Sequence, residues 1–505
     1  MDYQFGAWRP DLPPLVNQAG LSEAVNVVPV AGGYAPFPSL VATAGATPLT
    51  EYARGAITGP TGDGNSFTFV GDEEKLYRFT ENGMIDVSRA SGYTTSGSRR
   101  WEFSQFGAVI VAVNGYDATQ QFDLRRDTVF ADIPGAVPKA AHCTVAGNSL
   151  VLGDIFDPVE GPVHDGIAFS AVGNQAGWPV PGTDEAIAAQ SGRQRLAGDG
   201  GFVQAVRGGT ETLAVFQENA VWRGQYIGGA VIWQLDRVEE SHGLLIKGAA
   251  VEFGRAIFYI SEDGFRVFDF TRSENVGKDV VNRTFLNDLD PAFSDRVSMI
   301  RDPDNTRILM AYPGAGHNDA GDPNRLLIWD YVLNQFSTAE VELSILALSG
   351  TIAPSLDSPD DPPDDPDSLE EPEAIGEESF DDRQLQPGEA LLGAFDTSNV
   401  LSNFSGPNLP ARLSTGDLQL SKGRRSLLNS VYPMVDGASS NVQVMGFETR
   451  REAGTALFDQ TVTQEPNGYC YPRNDNRFHR VRLLPGTDWT TATGFEVTGR
   501  PTGRY

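Results

Sequence analysis

The sequence predicts an all-β fold: a β-propeller of six or seven blades, with an extended N-terminal arm and a C-terminal β-sandwich-like domain. Three observations lead there. Gly (55) and Pro (32) are abundant and spread along 505 residues. Short apolar runs are punctuated by Gly, Asn and Asp, and no long stripe of helical period occurs. Finally, one hairpin pattern recurs between about residue 60 and residue 405.

Residues 1–60 read as the arm. WRPDLPP and PVAGGYAPFPSL are dense in Pro and Gly, which opposes both helix interior and central strand. Such a segment is expected to run over a surface or pack against neighbours. Residues 61–405 read as the propeller. Each unit has an apolar strand, a tight polar turn and a second strand ending in an aromatic: 67–79, 109–123, 150–170, 212–224, 256–269, 307–330 and 391–404. The closing aromatics Phe79, Phe122, Phe169, Trp222, Phe268 and Trp329 are 43 to 61 residues apart. That period suits four-stranded blades, whose two apolar faces are buried only by packing against neighbouring blades. Asn114-Gly115 and Asp263-Gly264 supply tight hairpin turns. Unrelated hairpins in two sandwiches are the competing arrangement.

Residues 352–388 interrupt the pattern. Within 357–382 lie 13 Asp or Glu and no Lys or Arg, a composition expected to give a mobile or extended insert in the propeller. Residues 406–505 change texture to longer alternating segments. In RFHRVRLL, Phe478, Arg480 and Arg482 are expected on one face and His479, Val481 and Leu483 on the other. This stretch reads as the sandwich-like domain.

Net charge is −29, yet residues 401–505 carry 12 basic against 9 acidic residues. A body this acidic does not grip nucleic acid by neutralising phosphates. It suits either plain solubility or a surface along which DNA passes without sticking. The basic end, with Arg424, Arg425, Arg450, Arg451, Arg480 and Arg482, suits an acidic partner or ordinary surface pairing. Two distant cysteines, Cys143 and Cys470, exclude a disulfide scaffold and read as small buried hydrophobes. The N-terminus lacks a signal-peptide pattern, and no run of 18 apolar residues predicts a membrane span.

Residues for chemistry are sparse. His142, His164, His242, His317 and His479 are not spaced as metal ligands, and neither a phosphate-binding loop nor a nucleophile elbow occurs. The Gly-rich stretch 314–325 reads as an exposed loop. Glu239-Glu240-Ser241-His242 and Asp302-Pro-Asp304-Asn305 offer carboxylate pairs, but the second reads better as a turn. Ser261-Glu-Asp263-Gly264-Phe-Arg-Val-Phe268 resembles an Asp-box of sialidases, displaced by one residue. The expectation is therefore no enzyme, with no catalytic, metal or cofactor-binding residues and no cofactor.

Four stretches carry a family resemblance: FGAWRPDLPPLVNQAGLSEAVNVVPVAGGYAPFPSL, RRWEFSQFGAVIVAVNGYDATQQFDL, YISEDGFRVFDF and RFHRVRLLPGTDWTTATGFEVTGRP. They resemble the tail nozzle, or packaged-DNA stabilisation, proteins of short-tailed, P22-like bacteriophages. The resemblance implies a structural virion protein, assembled in the host cytoplasm and located in the tail. It would form a homohexameric ring below the portal and adaptor rings, beside other tail proteins such as spikes, fibres or needle. Double-stranded DNA would pass without specific binding. The alternatives are a peripheral tail propeller for fibre attachment or receptor contact, and a carbohydrate-active propeller enzyme.

Overall fold

The computed structural model describes residues 2–12, 20–62, 64–158, 160–229, 231–351, 388–421, 424–437, 439–449 and 456–502. The acidic insert expected at 352–388 lies, but for its last residue, outside the described residues. The chain divides into two compact units. Unit one combines Met1–Val41, Ala249–Leu343 and Phe404–Tyr505; unit two combines Ala42–Gly248 with Ser344–Asn403.

The fold is an all-β propeller with added sheets, and among the described residues it has seven blade-type repeats. Blade 1 is Gly55–Pro60, Ser66–Gly71, Leu76–Thr80 and Gly83–Asp86. Blade 2 is Glu102–Phe106, Val109–Val113, Gln120–Asp123 and Ala131–Asp132. Blade 3 is Lys139–Ala146, Ser149–Asp157, Gly161–Phe169 and Gly192–Arg195. Blade 4 is Val203–Gly208, Thr212–Gln217, Val221–Tyr226 and Trp233–Glu239. Blade 5 runs from Ala250–Phe253 through Ala256–Ser261 and Gly264–Phe268 to Ser273–Asn275, and blade 6 from Ser298–Arg301 through Arg307–Tyr312 and Arg325–Asp330 to Gln335–Ala339. Blade 7 contains Ile345–Gly350, Ala390–Phe395 and Leu401–Asn408, and its sheet order ends with Pro38–Ala42.

The hairpins read from the sequence are the second and third strands of these seven blades. Their apolar runs follow from burial on both faces. In Val109–Val113, Val109, Val111 and Val113 join Leu150, Leu152 and Ile155 in the core between blades 2 and 3. Ile110 and Ala112 turn the other way, to Phe67, Phe69 and Trp101 in the core between blades 1 and 2. Strand alternation thus feeds two cores from one strand. Full burial of each such Val, Ile or Phe contributes roughly 1.5–3 kcal/mol. Further cores pack blade 7 on blade 1 through Phe79, Ile345 and Phe395, and blade 3 on blade 4 through Val151, Phe169, Leu213 and Trp233.

In unit one, blade 6 extends into a nine-stranded sheet. Beyond Gln335–Ala339 come Leu21–Val25, Arg412–Thr415, Phe478–Leu484, Asn441–Phe447 and Phe458–Thr463. Leu21–Val25 is parallel to the blade strand, with Val25 opposite Thr338, and antiparallel to Arg412–Thr415. A six-stranded sheet joins Val27–Val30 and Gly33–Pro36 to Trp489–Thr502, Arg425–Gly437 and Asn474–Asn476, with Asp2–Gln4 on Trp489–Thr502. The strands up to Pro36 are extended and tie blade 6 and the C-terminal strands together, whereas Pro38–Ala42 belongs to the blade 7 sheet and Gly55–Pro60 is the first strand of blade 1, so the arm-like part ends well before the expected residue 60. Asp11 of the WRPDLPP stretch accepts hydrogen bonds from the backbone N–H groups of Arg283 and Thr284, both at 2.8 Å, at the start of helix Asn282–Asp288. The alternation expected in RFHRVRLL is present: His479, Val481 and Leu483 are buried while Phe478, Arg480 and Arg482 are half-buried.

Candidate functional site

The first strands of blades 1 to 4 and 7 contact one another in sequence, which makes them the innermost strands of unit two. Among these strands the ionic side chains are Glu102, Lys139 and Arg207, with His142 beside them. The acid excess of the chain is thus not carried by the innermost strands of this unit.

Glu102, His142 and Arg207 come from three consecutive blades and meet in a single cluster. Nδ1 of His142 donates to Glu102 Oε2 at 2.8 Å, and the backbone N–H of Cys143 donates to the same oxygen at 3.2 Å. Arg207 Nη1 donates to Glu102 Oε1 at 2.8 Å, and its Nη2 reaches the carbonyl of Gly248 at 3.2 Å. Burial alone would raise the Glu102 pKa, but His142 and Arg207 overcome it and hold the carboxyl at about 2. Glu102 is therefore a carboxylate at neutral pH, accepting from three donors. His142 is 3% exposed, and its Nε2 has no hydrogen-bond partner among the described residues. Burial and the neighbouring Glu102 push the Cys143 thiol well above its usual pKa, so it is an inert thiol.

One strand outward, Asp154 has a left-handed backbone (φ 51°) where the pairing register shifts between Gly153 and Ile155. The bulge turns its carboxylate to Lys247 at 2.7 Å and His164 at 2.5 Å. Burial opposes the charge on Asp154, yet Lys247 and His164 hold its pKa below the usual carboxylate range. Chemically the Glu102 and Asp154 clusters are closed ion pairs bracing adjacent blades, and Lys139 belongs to neither. Among the described residues, no group of three or more His, Cys, Asp or Glu is placed to hold a metal ion.

Unit one has a second polar construction, a ladder across the nine-stranded sheet. Arg325 and Arg412 share Glu340, at 3.3 and 2.7 Å. Arg412 then reaches Glu23 at 3.1 Å, and Glu23 reaches Arg482 at 2.7 Å. Arg482 donates to Gln443 at 2.9 Å, and Gln443 donates to Asp459 at 2.8 Å. Glu23, from the arm, sits at the centre of the ladder.

Three of the six C-terminal arginines named from the sequence are paired with acids of the same unit. Arg482 belongs to the ladder, Arg480 pairs with Asp417 at 2.9 Å, and Arg425 pairs with Glu448 at 2.9 Å. Arg424 is exposed, and Arg450 and Arg451 lie outside the described residues.

The carboxylates singled out in the sequence are turn formers. Asp302 accepts the N–H groups of Asp304 and Asn305 at 3.0 and 3.2 Å. Glu239 accepts from the N–H groups of Glu240 and Ser241 and lies 3.1 Å from His242 Nδ1. In the Asp-box-like stretch, Asp263 binds Arg266 at 2.6 Å and Asn275 at 2.9 Å, and its carbonyl accepts from Asn282 at 2.8 Å. His317 lies between the carbonyl of Asn318 (2.6 Å) and Asp290 (3.0 Å), which raise its pKa. His479 is fully buried, its Nε2 3.0 Å from the Ser426 hydroxyl, and burial pushes its pKa down to about 4. Both cysteines are buried and free. Sequence reasoning missed Glu102, Arg207, Asp154, Lys247 and Glu23, because isolated charges far apart in the chain carry no spacing signal.

No family model matches the chain, and no curated protein matches it. Solved structures similar to parts of it include the computationally designed Ika8 protein, at 10% identity and TM-score 0.36, covering 65% of this chain and 93% of that one. Another is a chain of the Mitotic Checkpoint Complex, at 12% identity and TM-score 0.36, covering 64% of this chain and 91% of that one.

Proposed function

We propose that this chain is a structural subunit of a short-tailed bacteriophage tail: a nozzle component that assembles as a homohexamer below the portal and adaptor rings and conducts DNA. It acts without catalysis or cofactor. The reading starts from the resemblance of the four sequence stretches. The observation that carries it furthest is the joining of the first and last of those stretches in one architecture. Strand Leu21–Val25, from the opening stretch, lies between blade 6 and the C-terminal strands, and Glu23 is tied to Arg412 and Arg482. Such a construction suits a part that bears load, since separating blade from C-terminal sheet requires breaking strand pairing and the ion ladder together. The buried pairs between blades serve the same purpose. A net charge of −29 keeps contact with passing DNA weak over most of the surface.

The test is localisation in particles of the phage that encodes the chain. Quantitative mass spectrometry and cryo-electron microscopy are expected to find six copies per tail, arranged around its axis. Copies confined to the periphery would move the role to fibre attachment or receptor contact, and absence from particles would end the proposal.

A further inference from the structure

Unit two carries one cationic surface feature that stands apart from the buried ion pairs. Tyr116 lies in the turn between Val109–Val113 and Gln120–Asp123, and is 48% exposed. The Arg99 guanidinium lies 4.6 Å from its ring centre and the Lys139 ammonium 5.4 Å. Neither cation has a carboxylate partner among the described residues. In a chain of charge −29, where most arginines pair with an acid, two uncompensated cations on one exposed ring form a distinct surface.

The feature is held rigidly. Asn114 Oδ1 accepts the N–H groups of Tyr116 and Asp117 at 3.0 and 2.8 Å, and its Nδ2 donates to Thr95 at 2.9 Å. The N–H of Gly115, at φ 78°, donates to the carbonyl of Ala140 on the next blade at 2.8 Å. Buried Arg54 pins the loop that presents Arg99, donating to the carbonyls of Gly97 and Arg99 at 2.6 and 3.2 Å. The nearest carboxylate in sequence, Asp117, is taken up by Arg89 at 2.6 Å and by the N–H of Thr94 at 2.9 Å. Nothing there needs to reorganise before an anion arrives.

We propose that Arg99, Tyr116 and Lys139 form a binding patch for the phosphodiester backbone of nucleic acid. Guanidinium, ammonium and phenol O–H are the donors that phosphate oxygens accept. Both cations lie over the tyrosine ring, which leaves it poorly placed to stack on a base, so recognition is of backbone and independent of sequence. Two cations make a weak contact, strongly dependent on salt. The patch stands on this geometry alone and does not depend on the nozzle reading. That reading is tested by location in the particle, this one by binding to the purified chain.

The experiment is fluorescence anisotropy of a labelled DNA duplex titrated with the full-length protein at low and rising salt. Binding is expected to weaken with salt with a log–log slope of about −1.8, the value for two neutralised phosphates. R99Q/K139Q is expected to lose at least tenfold in affinity and most of the slope, while R99K/K139R keeps both. Inorganic phosphate is expected to compete weakly, and an oligoglutamate peptide to bind more weakly than the duplex. Unchanged binding by a folded R99Q/K139Q protein, no binding by the wild type at low salt, or oligoglutamate binding equal to the duplex would each overturn the proposal.

Discussion

Replacing Glu102 by Gln removes the charge at the meeting point of three blades while keeping the side-chain shape. The carboxyl titrates at about 2 in the folded chain against an ordinary value of 4.5. A difference of that size corresponds to about 3 kcal/mol at neutral pH, at 1.36 kcal/mol per unit. Because the folded value is depressed, this stabilisation is fully present above pH 4.5 and is lost as pH falls towards 2. The same loss seen from the other side is that Arg207 and His142 face a neutral amide in the variant. For a unit of this size the melting transition is expected to fall by roughly 6–10 °C. Hydrogen exchange of peptides spanning 102–113 and 139–157 localises the effect to unit two. Wild type and variant are expected to converge in stability as pH approaches 2. A melting shift under 1 °C at pH 7, or two parallel stability curves down to pH 2, would show that the Glu102 charge does not stabilise unit two.

Three further outcomes are expected. His479 is fully buried with its pKa lowered to about 4, so it stays neutral in the folded chain while the unfolded chain binds a proton below about 6.5. Stability of unit one is therefore expected to drop by up to about 3 kcal/mol as pH falls from 6.5 to 4, and denaturant titrations of a His479→Asn variant should show a flatter profile over that window. Glu23→Ala leaves Arg412, Arg482 and Ser414 without a shared acceptor. It should cost roughly 1–3 kcal/mol and raise hydrogen exchange in Leu21–Val25 before it affects unit two. Gly264→Ala sets a Cβ 2.0 Å from the Asn282 side chain at φ 110°, a clash and a backbone strain together. A loss of roughly 2–4 kcal/mol is expected in thermal melts, with Gly254→Ala, which meets nothing within 4 Å at φ 59°, as the milder comparison.

The sequence made the seven central hairpins legible because their strands are buried on both faces and carry unbroken apolar runs. Val109–Val113 and Thr212–Gln217 are such strands. First and fourth strands were harder to read. Glu102–Phe106 is half-buried along its length and Ala131–Asp132 is exposed, so neither shows a clean period. The pairing of the arm was not legible at all. Ser22 donates to the carbonyl of Thr415, 393 positions along, and no local pattern encodes such a partner. The left-handed Asp154 bulge was equally hidden, since Gly-Asp-Ile within an apolar run reads as a continuous strand. Of the buried polar cluster, His142 was visible as a residue but not as a participant, because Glu102 and Arg207 are 105 positions apart. Turn chemistry fared better: Asp302-Pro-Asp304-Asn305 reads as a turn because a carboxylate ahead of free N–H groups satisfies them locally.

A nozzle subunit of the kind proposed forms rings. The most direct measurement is the mass of the purified full-length protein in solution, followed by class averages of the same sample in negative stain, alone and mixed with portal-complex components. Six-fold rings with a central opening are expected in at least one of the two samples. A monomer in both samples, with no added density on the portal complex, would contradict it.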